Sequence, residues 1–363
     1  MKHQKQNIIG LNFNEVITIL ENLGEKRFHA KQIWNWIYYF GTQSFDTMSN
    51  LSKELRQKLN ENYTIERESI VKDLISKDGT RKWLIEFSDG EKVEIVYIPE
   101  EDRGTLCISS QIGCGMGCSF CNTGTQRITR NMTSGEIIQQ FMIARDCLDE
   151  WKNISKPIGK GRKITNIVFM GMGEPLANYD NVVKSIKILM DDNGIAFSNR
   201  RITVSTCGIV PKIRQLAKDD IKINLAISLH ATTDEIRNSL MPINQKYNID
   251  KLMKACNYYA ENTSYRRITF EYIMINGLND GLEDAKRLVK LVKKYKIPAK
   301  FNLIPFNPWT GCNFKPSSSE KMQKFAKVLT DARYPCPIRK PRGQDIMAAC
   351  GQLKSTINNL DFI

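Results

Sequence analysis

The sequence predicts an α/β protein: a partial (β/α)6 barrel of TIM-like type, preceded by an N-terminal helical domain and a β-hairpin linker. Three patterns predict it. Apolar positions recur at helical spacing up to about residue 65. Two alternating runs then flank an Asp-Gly turn. From about residue 104, short β-branched runs alternate six times with helical patterns, as a parallel sheet closing into a barrel requires.

In the first region, 14–23 carries Val16, Ile17, Ile19, Leu20 and Leu23. Residues 30–39 carry Ile33, Trp34, Trp36, Ile37 and Tyr38, and Leu51, Leu55 and Leu59 follow at helical spacing. A helical accessory domain over 1–65 is expected. The hairpin, 81–87 and 92–98 about Ser88-Asp89-Gly90, is expected to link it to the core across 66–103. Core strands are expected at 105–109, 164–170, 202–206, 223–229, 268–275 and 300–304. Helices are expected at 134–147, 180–190 and 282–295. The core spans 104–345, and 346–363 forms a C-terminal segment. In such barrels the chemistry sits at the C-terminal ends of the strands.

Of 363 residues, 53 are Lys or Arg and 39 Asp or Glu, a net charge of +14. An AT-rich genome inflates Lys, Asn and Ile and would explain this; a polyanionic partner, nucleic acid, would explain it too. The first residues are polar and no apolar run approaches a membrane span, so a cytoplasmic protein without membrane contact is expected. In that compartment the ten cysteines point to metal binding or catalysis rather than to structural disulfides.

Cys114, Cys118 and Cys121 follow the first core strand with C-x3-C-x2-C spacing. Three thiolates leave open one iron of a cubane that normally takes four, and S-adenosylmethionine is the usual occupant. Zinc more often pairs C-x2-C with a second Cys/His pair, and none is evident. Gly171-Met172-Gly173-Glu174-Pro175 ends the second strand, where glycine permits close ligand approach and a carboxylate can hold an ammonium group. Ser205, Ser228, His230 and Asn307 end later strands on the same rim. His230 reads as a cofactor contact rather than a general base. Alternation puts Cys107 and Ser109 on one face of the first strand. Cys350, among Ala348, Ala349 and Gly351, has small neighbours that would leave a thiol accessible; taken in isolation, a buried packing cysteine is the better reading.

Together these segments resemble the RlmN-type dual-specificity RNA methyltransferases, radical SAM enzymes, over nearly the whole length. The resemblance rests on Val93-Glu94, Leu106-Cys107-Ile108-Ser109-Ser110-Gln111, the three-cysteine loop and Met170 to Leu176. Further along it rests on Ser228-Leu229-His230, Met241-Pro242-Ile243-Asn244, Asn302-Leu303-Ile304-Pro305 and Ala348 to Leu353. It implies a radical SAM barrel with an RNA-binding N-terminal domain. Cys114, Cys118 and Cys121 would hold a [4Fe-4S] cluster. Gly173, Glu174, Ser205, Ser228, Leu229, His230 and Asn307 would contact S-adenosylmethionine, two molecules of which serve each turnover.

Cys350 would carry the methyl group, Cys107 would resolve the adduct, and Glu94 would accept the C2 proton. The implied partners are 23S rRNA and tRNA, an external electron donor and a disulfide reductant. The sequence offers no clear oligomerisation signal, and a monomer is expected. Relatives that methylate C8 share both working cysteines; Pro175 and the 339–343 run look more like the C2 group. A radical activase acting on a protein, and a noncatalytic RNA-binding protein with a structural metal, are the competing classes. Expected phosphate contacts are Lys26, Arg27, Lys31, Arg127, Arg130, Lys160, Arg162, Arg200 and Arg201.

Overall fold

The computed structural model describes residues 5–151, 162–219, 221–263 and 267–355. Thirteen strands and ten α-helices are found among them. The N-terminal region packs α1 (Phe13–Asn22), α2 (His29–Tyr38) and α3 (Lys53–Asn62), with the two-residue strands β1 (Gln6–Asn7) and β2 (Tyr63–Thr64) paired in parallel. Asn12 begins α1 with a reciprocal capping box to Glu15, which satisfies two otherwise orphaned amides. Val16, Leu20, Ile33, Trp34, Leu55 and Leu59 are buried, each on the stripe its spacing predicts.

The hairpin strands β4 (Arg81–Glu86) and β5 (Lys92–Pro99) form as expected, joined by a third antiparallel strand, β3 (Ser69–Ile75). They are more than a connector. β5 pairs antiparallel with β6 (Gly104–Cys107), the first barrel strand, so hairpin and barrel are one nine-stranded sheet. Its remaining strands are β9 (Asn166–Phe169), β10 (Ile202–Thr206), β11 (Asn224–Ser228), β12 (Ile268–Met274) and β13 (Ala299–Pro305). From β6 to β13 every pairing is parallel, in chain order, as six consecutive β-α units require. Outside the sheet, β7 (Gln111–Ile112) pairs with β8 (Arg130–Asn131).

The covering helices are α4 (Ser134–Cys147), α5 (Tyr179–Met190), α6 (Val210–Lys218), α7 (Asp234–Leu240), α8 (Ile249–Asn262), α9 (Leu282–Lys294) and α10 (Ser319–Asp331). Helix α4 is buried over most of its surface because it is wedged between the barrel and the N-terminal helices. After α10 the chain runs parallel beside β13: the Leu303 amide donates to the Pro337 carbonyl and the Arg339 amide to the Leu303 carbonyl. That short pairing aims Arg339 at the barrel's open end. No helix among the described residues is long and apolar enough to cross a membrane.

Candidate active site

The C-terminal ends of β9 to β13 and the cysteine loop that follows β6 converge on one cavity. Cys114, Cys118 and Cys121 form one side of it, and Gly173, Glu174, Ser205, Ser228, His230 and Cys350 stand among its other lining residues. The cysteine loop is clasped at its base by the β7–β8 pair. Gly113 turns there at φ +73°, and a Cβ on it would lie 2.2 Å from the Arg127 carbonyl oxygen. Burial, then the neighbouring thiols, push the Cys118 thiol far above its ordinary range. Burial holds Cys114 at about 12 and also raises Cys121. Three thiols gathered on one side of a single cavity are a donor set that suits a metal cluster. Among the described residues no three His, Cys, Asp or Glu side chains converge on a single ion.

Glu174 is 4% exposed, and both its carboxylate oxygens are fixed by backbone amides, from Leu176 at 3.0 Å and Cys207 at 2.7 Å. Burial raises its pKa and these hydrogen bonds oppose the rise. A cofactor ammonium is therefore the natural counter-charge. Gly173, at φ +91°, lies so close to Gln111 that a Cβ would approach its Cβ to 2.5 Å. His230 Nδ1 accepts from the Ile273 amide at 3.1 Å, leaving Nε2 to carry the proton. Burial, aided by the Arg237 charge, lowers its pKa to about 3, so the ring is neutral.

Three expected residues lie elsewhere. The Leu229 side chain is fully buried in the core, and its carbonyl is taken by Arg237. Asn307 lines a second cavity, beyond Cys350, and donates to the Cys350 carbonyl at 3.2 Å. Glu94 lines neither. Its carboxylate pairs with Lys82 at 2.7 Å and accepts from the Lys354 amide at 2.8 Å, under the C-terminal segment. Burial raises its pKa, and Lys82 pulls it back.

Cys107 and Cys350 come together, although 243 positions separate them in the chain. Cys350 lines both cavities, whereas Cys107 lines only the second. Burial, then the nearby Cys350, pushes the Cys107 thiol up to about 12. Arg339 Nη1 stands 4.0 Å from the Cys350 sulfur and 3.6 Å from Glu271, whose Oε2 is buried without a hydrogen bond.

Sequence reasoning gave no role to Arg339, Glu271, Lys82 or Arg237. Arg237 is fully buried and clamps two strand ends, donating to the carbonyls of Cys207 at 2.7 Å and Ser228 at 3.1 Å. Only its place on a short polar helix marked it in sequence, and charged residues on such helices usually face water. Several expected phosphate contacts are engaged instead. Arg130 pairs with Asp89 and Glu136, and Arg162 packs on Phe197 beside Glu150. Lys26, Arg27, Lys31, Arg127 and Arg200 are exposed, Arg201 is half-buried, and Lys160 lies outside the described residues.

Comparison with known proteins shows the family. Residues 6–65 match the Ribosomal RNA large subunit methyltransferase N-terminal domain, and residues 108–292 the Radical SAM superfamily. The chain is 52% identical to the dual-specificity RNA methyltransferase RlmN of Rhodospirillum rubrum, over 96% of this chain and 80% of that one. It is also 52% identical to that of Ruegeria pomeroyi, over 96% and 90%. A crystal structure of a radical SAM methyltransferase from Sphaerobacter thermophilus superposes with a TM-score of 0.89 at 39% identity, covering 97% of this chain and all of the other. A [4Fe-4S] cluster and S-adenosylmethionine are the cofactors of this superfamily and of this chain. With helical domain, barrel and cysteine loop all matched, the chain belongs to the RlmN family of radical SAM RNA methyltransferases.

Proposed function

We propose that the chain methylates C2 of adenosine in 23S rRNA, at the peptidyl transferase centre, and in tRNA beside the anticodon, through S-methylation of Cys350. The observation that carries this reading is the position of Cys350. It stands on the wall between a cavity holding three clustered cysteines and a second cavity holding Cys107. A carrier thiol needs access to both a methyl donor and an acceptor base.

Held by Cys114, Cys118 and Cys121, the cluster with S-adenosylmethionine supplies the methyl group and the one-electron chemistry that an electrophilic carbon with a strong C–H bond requires. Glu174 fixes the cofactor's ammonium, and Gly173 lets its backbone approach. Ser205, Ser228 and neutral His230 line the rest of that cavity. Cys350 accepts the methyl group with Arg339 beside its sulfur. Glu94 takes the C2 proton, for which its bond from the Lys354 amide must open. Cys107 as thiolate then attacks the Cys350 sulfur of the adduct in which that sulfur's methylene is bonded to C2: the sulfur–sulfur bond forms as the carbon–sulfur bond breaks, and the released carbon keeps the electron pair and takes a proton to complete the methyl group. An external dithiol restores both cysteines.

Incubation with labelled S-adenosylmethionine, a reductant and rRNA, followed by nucleoside analysis, is expected to yield 2-methyladenosine; label at C8 instead would overturn the C2 assignment. Cys107→Ala is expected to trap RNA covalently on Cys350, read as a mass shift that nuclease trims to one nucleotide. Cys350→Ala is expected to abolish methylation.

A further inference from the structure

Met170, Ile304, Arg339 and Cys350 form the wall common to the two cavities, and Glu271 stands beside Arg339 on the cysteine-bearing side. The backbone fixes the two charged residues separately. Glu271 lies on β12, where its carbonyl accepts from the Leu229 amide at 3.1 Å. Arg339 lies on the run that pairs with β13, its amide tied to the Leu303 carbonyl at 2.8 Å. Glu271 is 3% exposed, and its Oε1 accepts at 2.8 Å from Nδ2 of Asn302, the residue opposite it on β13. Its Oε2 is buried and takes no hydrogen bond among the described residues. Arg339 Nη1 stands 3.6 Å from that oxygen.

A buried carboxylate oxygen without a donor is costly, and a guanidinium this near would ordinarily close on it as a fork at about 2.7–2.9 Å. Here it stands off. The same Nη1 lies 4.0 Å from the Cys350 sulfur and 3.8 Å from the Met170 sulfur. A closed fork would tie up its N–H groups on the carboxylate. At 3.6 Å the carboxylate still holds the guanidinium by charge, and an Nη1 hydrogen stays available to the Cys350 sulfur. Burial raises the pKa of Glu271, and Arg339 is first among the groups that pull it back, ahead of Asn302 and Lys300. An ion pair that served only to fasten the last run to the barrel would close; a pair kept open beside a reacting sulfur points to chemistry.

Resting on the function proposed above, we infer that Glu271 is a positioning residue that acts through Arg339 on the carrier cysteine. It keeps the guanidinium at the shared wall, where an N–H donor meets the negative charge that the Cys350 sulfur carries as it accepts the methyl group. The Cys350 proton leaves to water first. The thiolate electron pair then forms a bond to the sulfonium methyl carbon. The carbon–sulfur bond of S-adenosylmethionine breaks, and its electron pair stays on the departing thioether, S-adenosylhomocysteine. Nothing is oxidised or reduced in this step, and both sulfurs end neutral.

The test uses reconstituted holoenzyme whose Cys350 is unmethylated at the start by mass spectrometry, with S-adenosylmethionine as the probe and no RNA. Glu271→Gln keeps the side chain's shape and the acceptor for Asn302 but removes the charge. It is compared with Arg339→Met, Arg339→Lys and the double variant Glu271→Gln/Arg339→Met. Iron per chain and a thermal melt show that each is loaded and folded; Arg339→Gln replaces Arg339→Met in the cycle if the latter does not fold. Glu271→Gln is expected to slow Cys350 S-methylation about tenfold at an unchanged half-saturating S-adenosylmethionine concentration. The double variant is expected to be no slower than Arg339→Met, since a residue acting through another adds nothing once that other is gone. Arg339→Lys is expected to retain part of the rate. In cluster-free protein, alkylation of Cys350 by iodoacetamide at fixed pH is expected to slow in the same order. Losses that multiply in the double variant, weaker S-adenosylmethionine binding at an unchanged maximal rate in Glu271→Gln, or wild-type rates in both assays would overturn the assignment. Absence of S-methyl on wild-type Cys350 would overturn the underlying function instead, and the alkylation cycle would still decide the role of Glu271.

Discussion

At the scale of single residues, the Lys82–Glu94 pair is the most informative. Both groups are nearly buried, and the ammonium also reaches the Met347 carbonyl at 3.2 Å. Removing it in Lys82→Met takes away the attraction that favours the carboxylate, so the already raised pKa of Glu94 climbs further. If Glu94 receives the C2 proton, the acidic limb of the RNA methylation profile then moves to higher pH while Cys350 S-methylation stays in place. A stability loss of about 3–5 kcal/mol is expected in denaturant melts, as for any buried pair left half-made. His230 gives a separate pH signature. Its pKa is depressed, so its contribution to stability is present in full above about 6.5, the ordinary histidine value, and is lost as pH falls toward about 3. Urea midpoints measured from pH 7 to 4 are expected to fall, and to fall less steeply in His230→Asn.

At the scale of elements, the C-terminal segment behaves as a strap tied to the extended cysteine loop. Thr123 Oγ1 donates to the Leu353 carbonyl at 2.6 Å, Asn122 Nδ2 to the Gln352 carbonyl at 3.0 Å, and the Asn122 amide to the Gly351 carbonyl at 2.7 Å. Asn122→Ala removes one tie and leaves a buried carbonyl unpaired, a cost of about 1–3 kcal/mol. Faster alkylation of Cys350 by iodoacetamide is the expected readout, with Cys107, buried and protonated, reacting slowly in both proteins. These ties were invisible in sequence because they join residues more than two hundred positions apart and involve mostly backbone carbonyls. The barrel strands, by contrast, were legible to within two residues at each end, because a strand buried on both faces leaves a continuous apolar run. β3 went unseen for the opposite reason. Ser69–Ile75 is an edge strand exposed along much of its length, and its Lys72-Asp73 pair breaks the alternation. The site was legible where glycine and cysteine spacing encodes a local loop. It was illegible at Arg339 and Glu271, whose roles depend on the chain returning beside β13.

For the whole molecule, the N-terminal helices are docked rather than tethered. Trp34 donates to Asp191 at 3.0 Å, Lys184 pairs with Glu15, Arg67 with Asp146, and the Gly10 and Gly135 backbones touch so closely that a Cβ on Gly10 would fall 2.2 Å from Gly135 Cα. Gly135→Leu is expected to loosen this joint, seen as earlier tryptic cleavage between residues 1 and 65, with cluster iron content retained. The net charge of +14 is spread widely, so RNA affinity as a whole is expected to fall steeply with salt.

The party wall of Met170, Ile304, Arg339 and Cys350 has a further consequence, for how such a chain can change over time. Among the described residues, the two cavities share these four and no others. Drift among the residues that line only the second cavity leaves the lining of the cysteine-bearing cavity unchanged. Only substitutions in the partition itself are felt on both sides.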